Sequence, residues 1–238
     1  MIQTPAMLKR RSADLIRGSQ PKAIYVAAIY LLISFVLTEL SGRILGVNMS
    51  ITKLQQYMNH IESGNLDNAM ALLQTMSPST GGLAINLLLE TALTVVFAGF
   101  NIYLINLVRG TEASYGNILD GFGIWLKVIL LSVLKTVFVS LWSLLLVIPG
   151  IIAAISYSMA LYILIDDPSK GVRQCLKESK QMMRGHKMEF FLLEFSFIGW
   201  MLLSTFGYVG YVIQIWTLPY MNLCYIMFYE NLRMNIDY

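Results

Sequence analysis

Four polar side chains fall where hydrocarbon is expected: Glu90, Lys135, Glu194 and Asn222 each interrupt a long apolar run. An ionisable group inside a bilayer is costly and is a functional candidate by default. Lys135 and Glu194 fall at compatible depths in different runs. Either the two pair, or the lysine snorkels toward the headgroups. A continuous chain of such groups would couple proton or ion movement, and four scattered residues do not form one. Pro219 with Tyr220 and Asn222 introduces a helix kink and hydrogen-bonding groups that hold membrane helices together. Glu39 and Arg43, one helical turn apart, satisfy each other at the outer interface.

A second set is basic. Lys170, Arg173, Lys177, Lys180, Arg184 and Lys187 follow Asp166-Asp167-Pro168-Ser169, whose Asp167 and Pro168 predict a helix start. The helix 169–184 places Val172, Cys175, Leu176, Ser179 and Met183 on one stripe, with basic residues over the rest. Such a helix lies in the membrane interface and recognises anionic headgroups. Alternatively, its charge only marks the cytoplasmic side while the stripe packs under the bundle. Other chemistries lack their residues. His60, His186, Cys175 and Cys224 do not form the close ligand pairs of a metal site. There is no HExxH, nucleophile elbow or P-loop. No catalytic residue, metal, cofactor, disulfide or nucleic-acid partner is therefore expected.

These groups must be positioned by membrane helices. The chain has 238 residues, 56% hydrophobic and 13% charged, against about 25% charged in soluble domains. Six apolar runs, roughly 23–45, 83–108, 125–148, 151–165, 188–209 and 212–229, are read as spans; five reach or approach the ~20 residues of a spanning helix, and the fourth is short. The fold class is all-α: a single membrane domain, 1–238, of six spans with amphipathic interfacial helices. Lys9, Arg10, Arg11, Arg17 and Lys22 precede the first run, and the 170–187 cluster precedes the fifth. The excess of basic residues sets both termini inside. Pro149-Gly150 and Gly207–Gly210 read as outer turns. The segment 46–82 reads as outer. There Ser50 would cap one amphipathic helix, Ser63-Gly64-Asn65 would end it, and a second would follow. It serves either as a lid over the helix ends or as a docking surface for a protein partner.

A weak repeat is present. Ser12–Gly18 and Ser179–Gly185 share Ser, an apolar pair, Arg and Gly, and a looser copy, Ile118–Gly121, precedes the third run. Tyr157/Tyr162 and Tyr220/Tyr225 repeat a spacing. The pattern predicts three helical hairpins, each introduced by a cytoplasmic amphipathic helix.

Trp142–Ile152 with its Val-Ile-Pro-Gly, Glu178–Lys187 leading to Ser196–Trp200, and Pro219–Asn222 with Phe228-Tyr-Glu230 resemble the DUF975 family of bacterial, Firmicutes-type integral membrane proteins. Arg10-Arg-Ser-Ala13 and Gly18 resemble its opening. The layout is also similar to the membrane domain attached to some glycerophosphodiester phosphodiesterases, which is not their catalytic part. The resemblance implies a multi-pass protein of the cell membrane and supplies no catalytic residues.

Three functions follow as expectations. The first is a non-enzymatic accessory or scaffold binding anionic lipid of the inner leaflet, or a partner protein at 46–82 or at helix 169–184. The alternative is a small transporter or exporter component. A lipid-acting enzyme lacks its catalytic constellation.

Overall fold

The computed structural model describes residues 4–44, 51–76 and 80–236, and every regular element among them is helical. In chain order these are α1 (Pro5–Gly18), α2 (Ala23–Ile44), α3 (Ile51–Glu62), α4 (Leu66–Met76), α5 (Thr80–Arg109) and α6 (Asn117–Asp120). A 3-10 turn, Gly121–Ile124, leads into α7 (Trp125–Leu145), α8 (Val147–Ser156) and α9 (Ala160–Asp166). Then come α10 (Val172–Met182), α11 (Lys187–Phe195), α12 (Ile198–Leu203) and α13 (Gly207–Ile236). They fall into two compact units, Met1–Leu31 with Thr94–Tyr238, and Leu32–Leu93.

Among the described residues four stretches are long and apolar enough to cross a membrane: Ala23–Ile44, Gly81–Arg109, Asn117–Leu145 and Val147–Asp166. The expected fifth run divides into α11 and α12, because the chain turns at Ser196 and Phe197. The sixth lies inside α13, where Gln214, Thr217, Pro219 and Asn222 dilute its apolar character. α13 runs through Pro219 unbroken, and the Asn222 amide donates to the Leu218 carbonyl at 2.9 Å.

Several boundaries differ from expectation for local reasons. The α7–α8 reversal is made by Leu146, which is fully extended at φ −160° and ψ 148°. Pro149 sits in the first turn of α8, where no N–H is needed. The basic helix starts at Val172, not at Ser169. Asp167 instead accepts from the Ser169 N–H at 3.1 Å and closes a turn before the helix. Gly185, at φ +82°, ends the turn after α10 as the left-handed position requires. Gly207 opens α13, so the preceding reversal is Ser204–Phe206.

In the first unit each introductory helix packs on a returning helix, that of the preceding hairpin for α6 and α10 and that of the last hairpin for α1. α6 lies on α5, α10 on α9, and α1 on α13. Ser12 and Ser179, equivalent in the sequence repeat, are both fully buried at such contacts. The Ser12 hydroxyl meets the Cys224 sulfur at 3.2 Å. Ser179 donates to the Ser156 carbonyl at 2.8 Å and accepts from the Met159 N–H at 3.2 Å. It thereby satisfies backbone groups freed by the break between α8 and α9.

In the second unit, α3 and α4 pack together on either side of the break at Ser63–Asn65. Met58, Ile61, Leu66 and Met70 are exposed, so these helices present apolar side chains outward. Ser50 lies outside the described residues.

The α5–α6 contact is backbone to backbone. A Cβ on Gly99 would stand 2.0 Å from the Ile118 carbonyl oxygen, and one on Gly121 would stand 2.3 Å from the Val95 oxygen. Neither backbone can yield as a side chain would. Gly99→Ala is expected to destabilise the protein by about 2–3 kcal/mol, the upper part of the overpacking range. Gly123→Ala, with nothing within 4 Å of its Cβ, is the control. Thermal unfolding in detergent micelles checks the difference.

Candidate functional site

Three returning helices bring charged ends together in one closed ring. Arg109 closes α5, Asp166 closes α9, and Glu230 and Arg233 stand one turn apart on α13. Arg109 reaches Asp166 at 2.7 Å and Glu230 at 2.5 Å. Arg233 reaches the other oxygen of Asp166 at 3.2 Å and of Glu230 at 3.1 Å. Tyr229 donates to Asp166 at 2.6 Å. Each carboxylate therefore bridges two guanidiniums, and the charges cancel. A buried charge is tolerable only when paired and hydrogen-bonded in this way. The Glu230 side chain is only 8% exposed.

On one side of the ring a cavity of about 230 Å³ is lined by Arg11, Arg109, Glu230 and Arg233, with Met227 and Met234. On another side lies a cavity of about 300 Å³ that reaches Lys170 and Glu178. Sequence reasoning missed the ring. Asp166 entered it only as part of a helix start and Glu230 as part of a motif, and Arg109 was not among its candidates. The available signal was a charge at the end of each returning apolar run.

The basic candidates separate into different environments. Lys170 pairs with Glu178 at 2.8 Å. That hydrogen bond holds the ammonium above its ordinary range. Burial works to raise the Glu178 carboxyl, but bonds from Lys170 and Gln174 bring it below the usual range. Arg173, Lys177, Lys180 and Arg184 are exposed, and Lys187 is half-buried. Lys180 and Lys187 line a cavity of about 180 Å³ with Trp142, Pro149, Ile152 and Tyr157. Neither lysine has an ion-pair partner among the described residues. The helix holding Lys180 is fixed from within by Cys175, Leu176, Ser179 and Met183, all buried as the stripe predicts.

Lys135 and Glu194 are brought close enough to feel each other's charge, without an N–O contact within 4.0 Å. Tyr162 and Tyr225, equivalent tyrosines of the repeated spacing, lie near Glu194. The Tyr225 hydroxyl is buried with no hydrogen-bond partner among the described residues. Aromatic packing fixes the surroundings: Phe190 lies 5.3 Å from both Tyr225 and Phe228. Asn222 bonds within its own helix, and Glu90 is exposed on α5 in the second unit. Both cysteines are free and buried. Among the described residues no three His, Cys, Asp or Glu side chains gather to hold a metal ion.

Among the described residues an all-α architecture with four stretches long and apolar enough to cross a bilayer points to a multi-pass membrane protein. The family described as "Protein of unknown function (DUF975)" matches residues 1–156 and 143–235, nearly the whole chain, which therefore belongs to that family. No curated protein and no solved structure matches.

Glu230→Gln leaves two guanidiniums sharing one carboxylate. It should cost about 2–3 kcal/mol, less than the ~3–5 of a fully buried pair because the arginines are part-exposed. Arg233→Gln should cost less than Arg109→Gln, since Arg233 is 43% exposed and Arg109 27%. Unfolding of the three variants in one detergent checks the order.

Proposed function

We propose that this is a non-enzymatic accessory protein of the cell membrane, with both termini in the cytoplasm, that holds an anionic lipid of the inner leaflet. The observation carrying this reading is the cavity where Lys180 and Lys187 meet Trp142, Pro149, Ile152 and Tyr157. Two uncommitted ammonium groups beside an apolar wall suit a phosphate headgroup with an acyl chain. A lysine is a strong point-charge phosphate binder, and its methylene stem lies well against apolar surface. Arg173, Lys177 and Arg184, exposed on the same segment, add attraction to the leaflet without belonging to the cavity. Placement of both termini inside rests on the basic N-terminal segment and on the ring, which sets the end of α5 level with the late turns of α13. The family match gives no activity to carry over.

A second reading, a small transporter or exporter component, is favoured by Lys135, Glu194, Tyr162 and the unpartnered Tyr225 hydroxyl. The two readings part on mutation. For the accessory role, Lys180→Gln with Lys187→Gln lowers retained anionic phospholipid about thirtyfold, each basic group contributing about 1 kcal/mol. Lys177→Gln changes it little. Native mass spectrometry from nanodiscs containing phosphatidylglycerol reads the retention, and added salt should weaken it in the parent protein. Unchanged retention in the double variant would remove the accessory reading. Loss of liposome flux in Glu194→Gln, with folding intact, would establish the transport one.

A further inference from the structure

The two cavities flanking the ring differ in charge. The larger, of about 300 Å³, holds Asp166, Lys170, Glu178 and Arg233, two cations against two carboxylates. These already engage one another, Lys170 with Glu178 and Arg233 with Asp166. The smaller, of about 230 Å³, holds Arg11, Arg109 and Arg233 against Glu230 alone. Three positive charges face one negative charge in its wall, a surplus of two. Counting Asp166, which both ring arginines share, still leaves one.

Arg11 is the source of the surplus. It is exposed on α1, and its guanidinium makes no ion pair among the described residues. The next residue fixes its place. The buried Ser12 hydroxyl meets the Cys224 sulfur at 3.2 Å and donates to the Met227 sulfur at 3.7 Å, and Met227 belongs to the cavity wall. Leu8 and Ile16, one turn to either side of Ser12, are buried as well. Turning Arg11 away from the cavity would unseat that stripe.

The ring arginines keep further donors. A guanidinium carries five N–H groups. Arg109 engages its carboxylates through Nε and Nη2, and Arg233 through Nη1 and Nη2. Nη1 of Arg109 and Nε of Arg233 take no part in these contacts. Glu230 shows what a planar acceptor does between them: Oε1 meets Arg109 and Oε2 meets Arg233. A third guanidinium, arriving from a different helix, calls for an acceptor with oxygens in more than one plane. A phosphate monoester offers three strong acceptor oxygens and carries about −1.5 to −2 at pH 7, which matches the surplus. Arginine binds phosphate oxygens through paired N–H donors. Val108, Met227 and Met234 complete the wall and lower the local dielectric, which strengthens such contacts.

We propose that the cavity of Arg11, Arg109 and Arg233 binds a phosphate monoester group, which joins α1 to the ends of α5 and α13. The group belongs either to a lipid, as in phosphatidic acid, or to a soluble phosphate. The site stands on its own residues and does not depend on the lysine cavity.

The test uses the full chain and two arms that separate the sources. In the first, thermal unfolding in detergent is followed against sodium phosphate, with sodium chloride at equal ionic strength as reference. A ligand that binds only the folded state raises Tm with its concentration. In the second, native mass spectrometry counts phosphatidic acid retained from nanodiscs of phosphatidylcholine and phosphatidic acid. That arm is run in a Lys180→Gln, Lys187→Gln background, so the lysine cavity does not contribute. Arg11→Gln removes the surplus charge without touching the ring. It is expected to weaken binding about tenfold in whichever arm shows it, the loss of one charge-assisted contact. Arg10→Gln removes the same charge one residue away, from a side chain that does not line the cavity, and should leave binding unchanged. Any Tm gain that Arg11→Gln retains is the general effect of phosphate, which is excluded from protein surfaces. Should Arg11→Gln fail to insert, Arg11→Lys keeps the charge without the fork and should still bind more weakly than the parent. Equal losses in Arg10→Gln and Arg11→Gln would overturn the proposal, because basic charge near the bilayer would then suffice. So would the absence of an Arg11-dependent response in both arms.

Discussion

The ring of Arg109, Asp166, Glu230 and Arg233 is the constraint on which the first unit depends. Its members come from three helices far apart in sequence, and each charge is matched twice. An ion pair at a membrane protein's edge gains little if it is solvated, and costs much if one partner is lost from a dry site. Here Glu230 is nearly enclosed while the arginines keep one edge toward water. That geometry favours register over raw stability. Three returning helices can slide along apolar neighbours at little cost, because lipid and leucine are alike to a leucine. They cannot slide past a set of charges that must all meet at one level.

The introductory helices act on the same problem from the other direction. α1, α6 and α10 each bind the returning helix of another hairpin, so each hairpin is tied to a neighbour through its introductory helix. Ser12, the Gly99–Gly121 approach and Ser179 mark the three contacts. Each is specific where the surrounding leucines are not: a hydroxyl against sulfur, backbone against backbone, a hydroxyl bridging a helix break. The repeated Ser12 and Ser179, with Gly121 of the looser copy, thus dock the repeats to one another, whereas a Cβ on Gly18 or Gly185 would meet nothing within 4 Å.

What could be read from the sequence follows from what local patterning encodes. The apolar stripe of α10, the break at Ser63–Asn65 and the helical class depend on neighbours within a few turns, and the structure agrees with them. The Leu146 reversal was displaced by three residues because proline signals a boundary without saying which side of it the helix lies on. The start of α10 moved because Asp167 serves a turn as readily as a cap. The ring was hidden for a different reason. Arg109, Asp166 and Glu230 are each unremarked at the end of an apolar run, and only the cyclic packing of hairpins makes them one group. Lys135 and Glu194 were legible as a depth match, yet the tyrosines sharing their environment were visible only as a spacing.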